Sequence, residues 1–454
     1  MGVAVADSDM ARCKRKHNYM YNIVIYLYLA GVAIASLFNE KVRKMWRGER
    51  DAVKLLKREV DPTAQYVWFH AASLGEFEQG RPLMERLRQE HPEYKILLTF
   101  FSPSGYEVRK DYRGADIVCY LPLDTIRNAR RFLRAVRPVM AFFIKYEFWY
   151  NYFHILQHRG VPVYSVSSIF REGQVFFRWY GRGYGKVLRC VTKFFVQNEE
   201  SRQLLHRIGI DCTEVVGDTR FDRVLQIRDA AKRLPIVEAF RYGTAEVANN
   251  TTAMGAAVAA SDAPAACTVP IKTFVAGSSW GPDEDIFIRY FNEHRDWRLI
   301  IAPHVISAEH LQQILSKLKR KTVRYTETSP EEAAQAECLI IDCFGLLSSI
   351  YNYGDVAYVG GGFGVGIHNV LEAAVWNMPV FFGPNNKHFQ EAQWLLRSKG
   401  GIEITSYDDF AAAMDRFIAS PELVAERGRA AGHVVEEHTG ATEKVMKACF
   451  ALRK

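Results

Sequence analysis

The sequence lacks the motifs that mark several common protein classes. Its 8 cysteines are scattered over 454 residues without a CxxC pair, which argues against a zinc site or a disulfide framework and favours a reducing compartment. No long basic run or nucleic-acid recognition motif accompanies the net charge of +8. The favoured partners are therefore anionic small molecules or an anionic lipid surface, and nucleic acid is not expected.

The chain also lacks a typical signal peptide, although one long apolar run lies near its start. Residues 21–38 are uncharged and mostly apolar, at the lower length limit for a membrane span, with no small-residue cleavage site after them. Basic residues flank the run on both sides, which suits a helix that enters or lies along an anionic leaflet. A buried core helix is the alternative. Residues 1–20 are interpreted as a candidate upstream extension, with Met20 as a candidate start.

A glycine-rich segment in the second half is the most organised stretch of the sequence. The apolar run 356–359 predicts a short buried strand, the glycines at 360–366 predict a tight turn, and the apolar spacing from Asn369 predicts a helix. Bare glycine N–H groups beside a helix N-terminus bind phosphate, and Glu372, about one turn inside the helix, can accept hydrogen bonds from ribose hydroxyls. A tight turn without a ligand is the alternative, and the spacing does not match the dinucleotide fingerprint.

Apolar runs alternate with helical patterns through most of the remaining chain. This alternation predicts parallel, doubly wound sheets whose ligands lie at the carboxyl ends of the strands. An Ala, Ser, Asn and Thr-rich insert at 245–268 predicts a flexible connection between two such regions. The predicted strands are 66–70, 96–101, 118–121, 139–144, 163–166, 193–197, 213–217, 273–276, 297–302, 339–342, 356–359 and 379–382.

Two glutamates follow predicted strands of the first region. Glu76 lies three residues after Ser73, so it is either half of a capping box or a general base at the mouth of a cleft. Glu147 lies among aromatic residues, where it either faces the same cleft or forms a salt bridge to Lys145 or an arginine. Arg220 is a candidate contact for a phosphate or carboxylate, with an ordinary surface arginine as the alternative.

Two polar turns in the second region also follow predicted strands. The turn that begins Gly277-Ser278-Ser279 either binds an anion or simply caps the helix that follows. His304 stands at the end of the next strand, where a histidine either hydrogen-bonds a phosphate or is structural.

Several ordered motifs together resemble the 3-deoxy-D-manno-octulosonic acid (Kdo) transferases of lipid A assembly in Gram-negative bacteria. The resemblance extends from about residue 20 to the C-terminus. The motifs are HAASLGE (70–76), TFFSPSGYE (99–107), YEFWYN (146–151), QNEES (197–201), GDTRFD (217–222), AGSSWGPDE (276–284), APH (302–304) and GGGFGVGIHNVLEAA (360–374).

The resemblance implies an α/β protein of the GT-B glycosyltransferase fold, with two Rossmann-like domains facing a cleft. It implies a membrane-associating helix at 21–38, an acceptor-binding domain at 39–232 and a CMP-sugar-binding domain at 271–430. The linker with its insert is expected at 233–270, and a C-terminal helix at 431–454 is expected to cross back to the first domain.

The resemblance also assigns roles to residues. It implies that Glu76 is the general base, that Glu147 lines the same cleft, and that Arg220 contacts a phosphate or carboxylate. It also implies that the acceptor side of the cleft is formed in part by Ser73, Gly75 and Ser104. It implies that the sugar donor, CMP-Kdo, is bound by Gly277, Ser278, Ser279, His304, Gly361, Gly362, Gly364, Gly366, Asn369 and Glu372.

The chain departs from the family pattern at positions that contact acceptor and phosphate. The family's Met-Glu-Thr-Glu is Ile144-Lys-Tyr-Glu147 here, and its lysine before Phe-Asp is Arg220. Its Pro-Arg-His is Ala302-Pro-His304, and its Trp-Pro-Asn is Trp149-Tyr-Asn151.

The activity implied is inverting transfer of Kdo from the substrate CMP-Kdo to a lipid A precursor, without a cofactor or metal ion. The implied location is the cytoplasmic face of the inner membrane, during lipopolysaccharide synthesis. A GT-B-like nucleotide-sugar epimerase and a non-catalytic, membrane-attached nucleotide-sugar binder are the alternatives. The motifs do not encode the number of Kdo units transferred.

Overall fold

The computed structural model describes residues 2–243 and 271–450, with side chains from Met20 onward apart from that of Arg182. The insert predicted at 245–268 lies outside the described residues. The chain divides into two compact units, the first formed by residues 1–223 with 439–454 and the second by residues 224–438.

The first unit is built on a seven-stranded parallel sheet. Its strands are β1 (Gln65–Ala71), β2 (Tyr94–Phe100), β3 (Ile117–Tyr120), β4 (Met140–Ile144), β5 (Val163–Ser168), β6 (Lys193–Val196) and β7 (Thr213–Val215). They lie in the order β3-β2-β1-β4-β5-β6-β7. The chain order reverses between β1 and β4, which pair directly, and this is the topological switch point of a doubly wound sheet.

Helices cover both faces of this sheet. The helices of this part of the chain are α1 (Gly2–Phe38), α2 (Glu40–Glu59), α3 (Leu74–Glu90), α4 (Pro103–Arg109), α5 (Ile126–Val136), α6 (Tyr150–His158), α7 (Arg182–Gly185) and α8 (Glu199–Arg207), with 3₁₀ turns at Val175–Phe177, Trp179–Gly181 and Lys186–Cys190. The next helix, α9 (Thr219–Asp229), begins in the first unit and ends in the second. The period-two alternation of β1 explains the layering. Tyr66 and Trp68 pack into the apolar cluster on one face, and Val67 and Phe69 into the cluster on the other.

The helix α1 packs against the first unit along one side and exposes apolar residues along the other. Tyr21, Ile25 and Leu29 pack against the core, and the Tyr21 hydroxyl donates a 2.8 Å hydrogen bond to Asp124. Several large apolar residues on the other side are exposed to solvent, including Leu27, which is 68% exposed. Residues 20–38 are long and apolar enough to cross a membrane, and 17% of that window is buried. The alternative of a buried core helix therefore does not describe this element.

A buried carboxyl on α2 predicts a pH-dependent stability. The Leu123 N–H donates to Glu49 at 3.2 Å, but burial raises the pKa of Glu49 to about 8. Because an unfolded glutamate has a pKa of about 4.3, this group's contribution is fully present below about pH 4 and is lost as the pH rises through about 8.

We therefore expect the melting temperature of Glu49→Gln to fall less than that of the wild type between pH 5 and pH 8.5, by a few degrees. Glutamine keeps the acceptor for Leu123 and removes the titration. Calorimetry of the full chain in detergent measures the difference. Burial also raises the pKa of Asp124, to about 7, so part of the fall remains in the variant. Parallel curves for the two proteins would contradict the prediction.

The second unit repeats the architecture of the first. Its strands are β8 (Thr273–Ser279), β9 (Arg298–Pro303), β10 (Thr322–Arg324), β11 (Cys338–Ile340), β12 (Val356–Val359), β13 (Val380–Phe382) and β14 (Gly401–Glu403). The order β10-β11-β9-β8-β12-β13-β14 is again fully parallel, and the reversal lies between the paired strands β8 and β12. The sequence interpretation missed β10 and β14, because three-residue edge strands carry too little pattern to detect.

The helices of the second unit vary widely in length. They are α10 (Pro235–Tyr242), α11 (Gly281–Glu293), α12 (Ala308–Lys317), α13 (Pro330–Ala334), α14 (Leu347–Ile350), α15 (Leu371–Ala374), α16 (Gln390–Ser398), α17 (Tyr407–Ala419) and α18 (Pro421–Glu437), with 3₁₀ turns at Tyr325–Glu327 and Tyr351–Tyr353. The helix predicted from Asn369 is the single turn α15. Glu372 therefore lies at its second residue, not one turn inside it.

The C-terminal segment forms two helices where the sequence predicted one. The break after α18 occurs at Gly440, whose φ of 92° is left-handed. The final helix α19 (Ala441–Phe450) belongs to the first unit, and its Val445 and Met446 join the same apolar cluster as Phe69.

Candidate active site

The two candidate catalytic glutamates both lie at the switch point of the first sheet. Glu76 follows β1, as the third residue of α3, and Glu147 follows β4. Since β1 and β4 are paired neighbours, their carboxyl ends meet at the position where doubly wound sheets bind ligands. The sequence placed each glutamate after a strand, and the strand order brings them together.

Glu76 combines a structural contact with the electrostatics expected of a base. Its carboxylate accepts the Ser73 backbone N–H at 3.0 Å, so the capping box that was the alternative for this residue is present. Burial raises the pKa of Glu76, the charge of Glu147 raises it further, and Lys145 and His70 partly offset both effects. A carboxylate with a raised pKa is a better proton acceptor, and one hydrogen bond from a cap does not remove that capacity.

Glu147 is held by an indole and a histidine. Trp149 donates its Nε1–H to Glu147 Oε2 at 2.9 Å, and His70 Nε2 lies 3.5 Å from the same oxygen. His70 is fully buried on β1, its Nδ1 lies 2.9 Å from Thr99 Oγ1, and its Nε2 has no hydrogen-bond partner. The sequence alternatives for Glu147 named a lysine or an arginine and did not anticipate this pair.

Backbone strain is concentrated beside these carboxylates. Lys145 and Ser167, at the carboxyl ends of β4 and β5, have φ angles of 60° and 52°. Left-handed conformations cost free energy for residues with a β-carbon and cluster at functional sites. The Lys145 carbonyl accepts from Ser168 at 3.1 Å, which fixes the strained turn that leads to Glu147.

Arg220 is anchored by a buried aspartate. Its Nε donates to Asp218 Oδ2 at 2.8 Å, and Gln79 donates to Asp218 Oδ1 at 2.9 Å. Despite burial, these contacts lower the pKa of Asp218. Burial raises the pKa of Tyr146, and the positive charge of Arg220 is among the groups that partly offset this effect, so Arg220 lies near the residue that precedes Glu147.

The predicted acceptor-side residues lie on two adjoining loops. The Ser102 N–H donates to the Ala72 carbonyl at 2.7 Å, joining the loop after β1 to the loop after β2. Ser104 is exposed, and its hydroxyl lies 2.9 Å from that of Ser102. A β-carbon on Gly75 would meet no atom within 4 Å, so Gly75 leaves open space before Glu76.

The predicted donor residues lie at the switch point of the second sheet. The turn at 277–279 ends β8 and the glycine loop at 360–366 follows β12, its paired neighbour. A β-carbon on Gly277 would lie 2.0 Å from the Tyr351 hydroxyl, and one on Gly360 would lie 2.3 Å from the Ser278 carbonyl oxygen. The glycines here allow the two turns to approach each other.

Several backbone N–H groups of the glycine loop form hydrogen bonds within the loop. The expectation that these N–H groups are free to bind a phosphate is therefore wrong for those groups. Gly364 and Gly366 donate to the Gly361 carbonyl at 2.9 and 3.3 Å, and His368 donates to the Gly360 carbonyl at 3.0 Å. The Gly361 N–H donates to Asp283 at 3.0 Å. The loop is therefore a prefolded turn in which these four N–H groups are occupied.

Asp283 joins the loop to the helix α11. Its carboxylate is buried and accepts the Trp280 N–H at 2.9 Å, the Tyr358 hydroxyl at 2.7 Å and the Gly361 N–H at 3.0 Å. The adjacent Glu284 accepts from the Ser279 hydroxyl at 2.9 Å. The first turn of α11 thus carries buried acids, as a capped helix does.

Three aromatic rings cluster beside the glycine loop. His304 stacks on Trp280 and His368 with centroid distances of 4.7 and 4.4 Å, and the Trp280 indole donates to His368 Nε2 at 3.2 Å. Burial lowers the pKa of both histidines, so both rings are uncharged at neutral pH. The neutral ring of His304 can donate a hydrogen bond to an anion.

Two predicted donor residues form a pair after the loop. Asn369 Nδ2 donates to Glu372 Oε1 at 3.0 Å, which fixes the carboxylate at the start of α15. In the same region, Ser278 has a left-handed φ of 52°. Within the described residues no hydrogen bond is recorded for the Ser278 hydroxyl, whereas that of Ser279 is taken by Glu284.

Sequence reasoning gave no role to three residues that organise these sites. They are His70, Asp283 and His368, all inside quoted motifs. Their partners Thr99, Gly361 and Trp280 lie in other segments of the chain, so the contacts could not be predicted from a local pattern. The one available signal for the three residues was a polar side chain within an otherwise apolar or glycine-rich motif.

Comparison with known proteins is consistent with this geometry. A sequence family described as "3-Deoxy-D-manno-octulosonic-acid transferase (kdotransferase)" matches residues 45–223. The 3-deoxy-D-manno-octulosonic acid transferase of Chlamydophila psittaci is 24% identical over 407 residues, covering 86% of each chain. A bifunctional glycosyltransferase/methyltransferase of Fusobacterium nucleatum is 23% identical over 77% of this chain, which spans 52% of that relative's length.

Solved structures of similar fold support the two-domain GT-B architecture. The UDP-GlcNAc 2-epimerase of Neisseria meningitidis aligns with a TM-score of 0.55 and 10% identity, covering 86% of this chain and all of that one. MurG of Acinetobacter baumannii aligns with a TM-score of 0.51 and 8% identity, covering 85% and 98%. Identities this low establish a shared fold only.

Proposed function

We propose that the chain is a glycosyltransferase of the Kdo transferase type, since it is similar to those enzymes, and that it transfers Kdo from CMP-Kdo to a phosphorylated glucosamine disaccharide lipid of the lipid A precursor type. The observation that carries the proposal is the carboxylate pair Glu76 and Glu147 at the switch point of the first sheet. That sheet lies within the segment matched by the family, residues 45–223.

In the proposed mechanism, Glu76 removes the proton from an acceptor hydroxyl as the hydroxyl oxygen attacks the anomeric carbon of Kdo. The bond from that carbon to the phosphate of CMP breaks, and the configuration inverts. The pKa of Glu76, raised by burial and by Glu147, suits proton abstraction from an alcohol near neutral pH. Ser73 holds the carboxylate through its N–H.

The second unit is proposed to hold the CMP portion. Ser278 and His304 supply neutral hydrogen-bond donors to the phosphate, and the Asn369–Glu372 pair faces the ribose hydroxyls. Asp283 fixes the glycine loop, so the pocket is preorganised before the nucleotide binds. Because these donors stabilise the leaving phosphate, transfer is proposed to need no divalent cation or other cofactor.

The helix α1 is proposed to hold the enzyme on the cytoplasmic face of the inner membrane. Its exposed face carries Leu27, Ile34 and Leu37, which are 68%, 62% and 67% exposed, while the opposite face packs on the first unit. A helix with one packed and one exposed apolar face suits a position in the plane of an anionic interface. The lipid acceptor is present in the same plane.

The direct test is a transfer assay with purified enzyme, CMP-Kdo and a tetra-acylated lipid A precursor in detergent, with and without EDTA. Kdo-modified lipid and equimolar CMP are expected in both conditions. Epimerised sugar without an acceptor would favour the epimerase alternative. CMP binding without turnover on any lipid would favour a binding protein, and loss of activity in EDTA would remove the metal-independent mechanism.

A pH profile tests the coupling of the two glutamates. The base must be ionised, so the rate is expected to fall as the pH drops through the pKa of Glu76. Glu147→Gln removes a charge that raises this pKa, so we expect the acidic limb of kcat, normalised to each protein's plateau, to move to lower pH. Glu90→Gln, at the far end of α3, is the matched control. If the acidic limb of the profile does not move in Glu147→Gln, the fall in rate at low pH is caused by a group other than Glu76.

A further inference from the structure

Three arginines of the first unit surround a cavity on the opposite edge of the sheet from Glu76. Arg134 lies in the last turn of α5 and Arg137 caps its C-terminus, while Arg159 caps α6. Together with Pro138, Leu156 and Val161 they line a surface cavity of about 270 Å³. Because α5 leads into β4 and α6 into β5, the cavity lies at the amino ends of these parallel strands.

The positive charge of this cavity is not neutralised by the protein. No ion pair between these three guanidinium groups and a carboxylate is found in the part of the chain that the structure describes. Arg159 donates its Nη1–H to the Leu133 carbonyl at 2.7 Å. Burial, followed by the charges of Arg134 and Arg137, lowers the pKa of Arg159, so the three groups are close enough to repel each other.

The backbone at Arg137 gives an independent observation. Its φ of 49° and ψ of 59° are left-handed, in the position after a helix that glycine or asparagine normally occupies. An arginine here keeps an unfavourable backbone conformation and adds a third positive charge. Attraction of cations to helix C-termini favours all three arginines, but it does not explain why a residue with a β-carbon takes the left-handed conformation at position 137.

We propose that the Arg134–Arg137–Arg159 cavity is a binding site for an anion that carries a phosphate group. Planar guanidinium groups bind phosphate oxygens in pairs, and three of them can surround one phosphate dianion. Leu156 is fully buried and, with Pro138 and Val161, gives the cavity an apolar wall that suits the carbon portion of a phosphate ester. A lipid headgroup and a soluble phosphate compound both present this chemistry.

The test compares two double variants of the full-length protein in detergent. Arg134→Gln/Arg137→Gly removes two charges from the cavity, and glycine relieves the left-handed backbone, so the fold is not expected to weaken. Arg127→Gln/Arg130→Gln removes two charges from the exposed surface of the same helix, outside the cavity. The melting temperature of each variant is measured first, and unchanged or higher values for the cavity variant are expected.

Calorimetric titration with pyrophosphate at constant ionic strength then measures binding. The wild type and the surface variant are expected to bind with affinities within twofold of each other, and the cavity variant at least tenfold more weakly. No binding to the wild type at millimolar concentration, or equal losses in both variants, would overturn the proposal.

Vesicle flotation distinguishes the two sources of phosphate. Vesicles contain either phosphatidate, which has an exposed phosphomonoester, or phosphatidylserine at matched surface charge. A selective loss of phosphatidate binding in the cavity variant identifies a lipid headgroup. Equal flotation of all proteins, together with weakened pyrophosphate binding, identifies a soluble ligand. None of these measurements depends on Kdo transfer.

Discussion

Glu76→Gln is expected to lower kcat for Kdo transfer by roughly 10²–10⁴-fold, the usual contribution of a general base, while the affinity for CMP stays within twofold. Glutamine keeps an oxygen that accepts the Ser73 N–H, which Glu76 accepts at 3.0 Å, so the start of α3 is preserved. The variant therefore separates catalysis from capping. Single-turnover kinetics with saturating CMP-Kdo measure the chemical step, and CMP titration measures the donor site.

The control for this experiment is Glu90→Gln on the same helix, whose side chain forms a surface ion pair with Arg86. It is expected to transfer at the wild-type rate. If Glu76→Gln also transfers normally, Glu76 is only a helix cap and Glu147 becomes the candidate base. If both activity and melting temperature collapse, the carboxylate is structural.

Gly362→Ala is expected to destabilise the second unit by about 1–3 kcal/mol and to weaken CMP binding at least tenfold. A β-carbon at this position would lie 2.6 Å from the backbone N and Cα atoms of Gly383. Backbone cannot move aside as a flexible side chain does, so the glycine loop and the loop after β13 must separate. Thermal unfolding and CMP titration measure the two effects.

Gly364→Ala is the matched substitution in the same loop. The nearest atom to its added β-carbon, the Gly361 carbonyl oxygen, lies at 3.5 Å, an ordinary contact, and neither Gly362 nor Gly364 has a positive φ. We expect a change in stability within about 0.5 kcal/mol and an unchanged CMP affinity. Equal effects of the two substitutions would show that loop flexibility, and not close packing, makes these glycines necessary.

Much of the fold followed from local patterns. Apolar runs with helical segments between them predicted the central strands of both sheets, because a strand buried on both faces is apolar throughout. The edge strands β10 and β14 escaped detection because each has only three residues. The single turn of α15 was predicted as a longer helix, because apolar spacing alone does not determine where a helix ends.

The candidate site was predicted in its parts but not in its arrangement. The motifs identified Glu76, Glu147 and the glycine loop as residues of interest, and gave Gly362 and Gly364 the same status. They could not reveal that His70 faces Glu147, or that Asp283 occupies the Gly361 N–H. These contacts join residues far apart in the chain, and a local pattern contains no information about them.

The sequence by itself therefore predicted the class of fold and the resemblance to the Kdo transferases, because both depend on periodicity and on the order of motifs along the chain. Only the tertiary structure decided which strand ends meet. The reversals of strand order at β1/β4 and β8/β12 bring the functional loops together. The structure also decided which glycines are crowded, and brought Arg134, Arg137 and Arg159 around one cavity. Each of these outcomes depends on distances between segments, which packing sets.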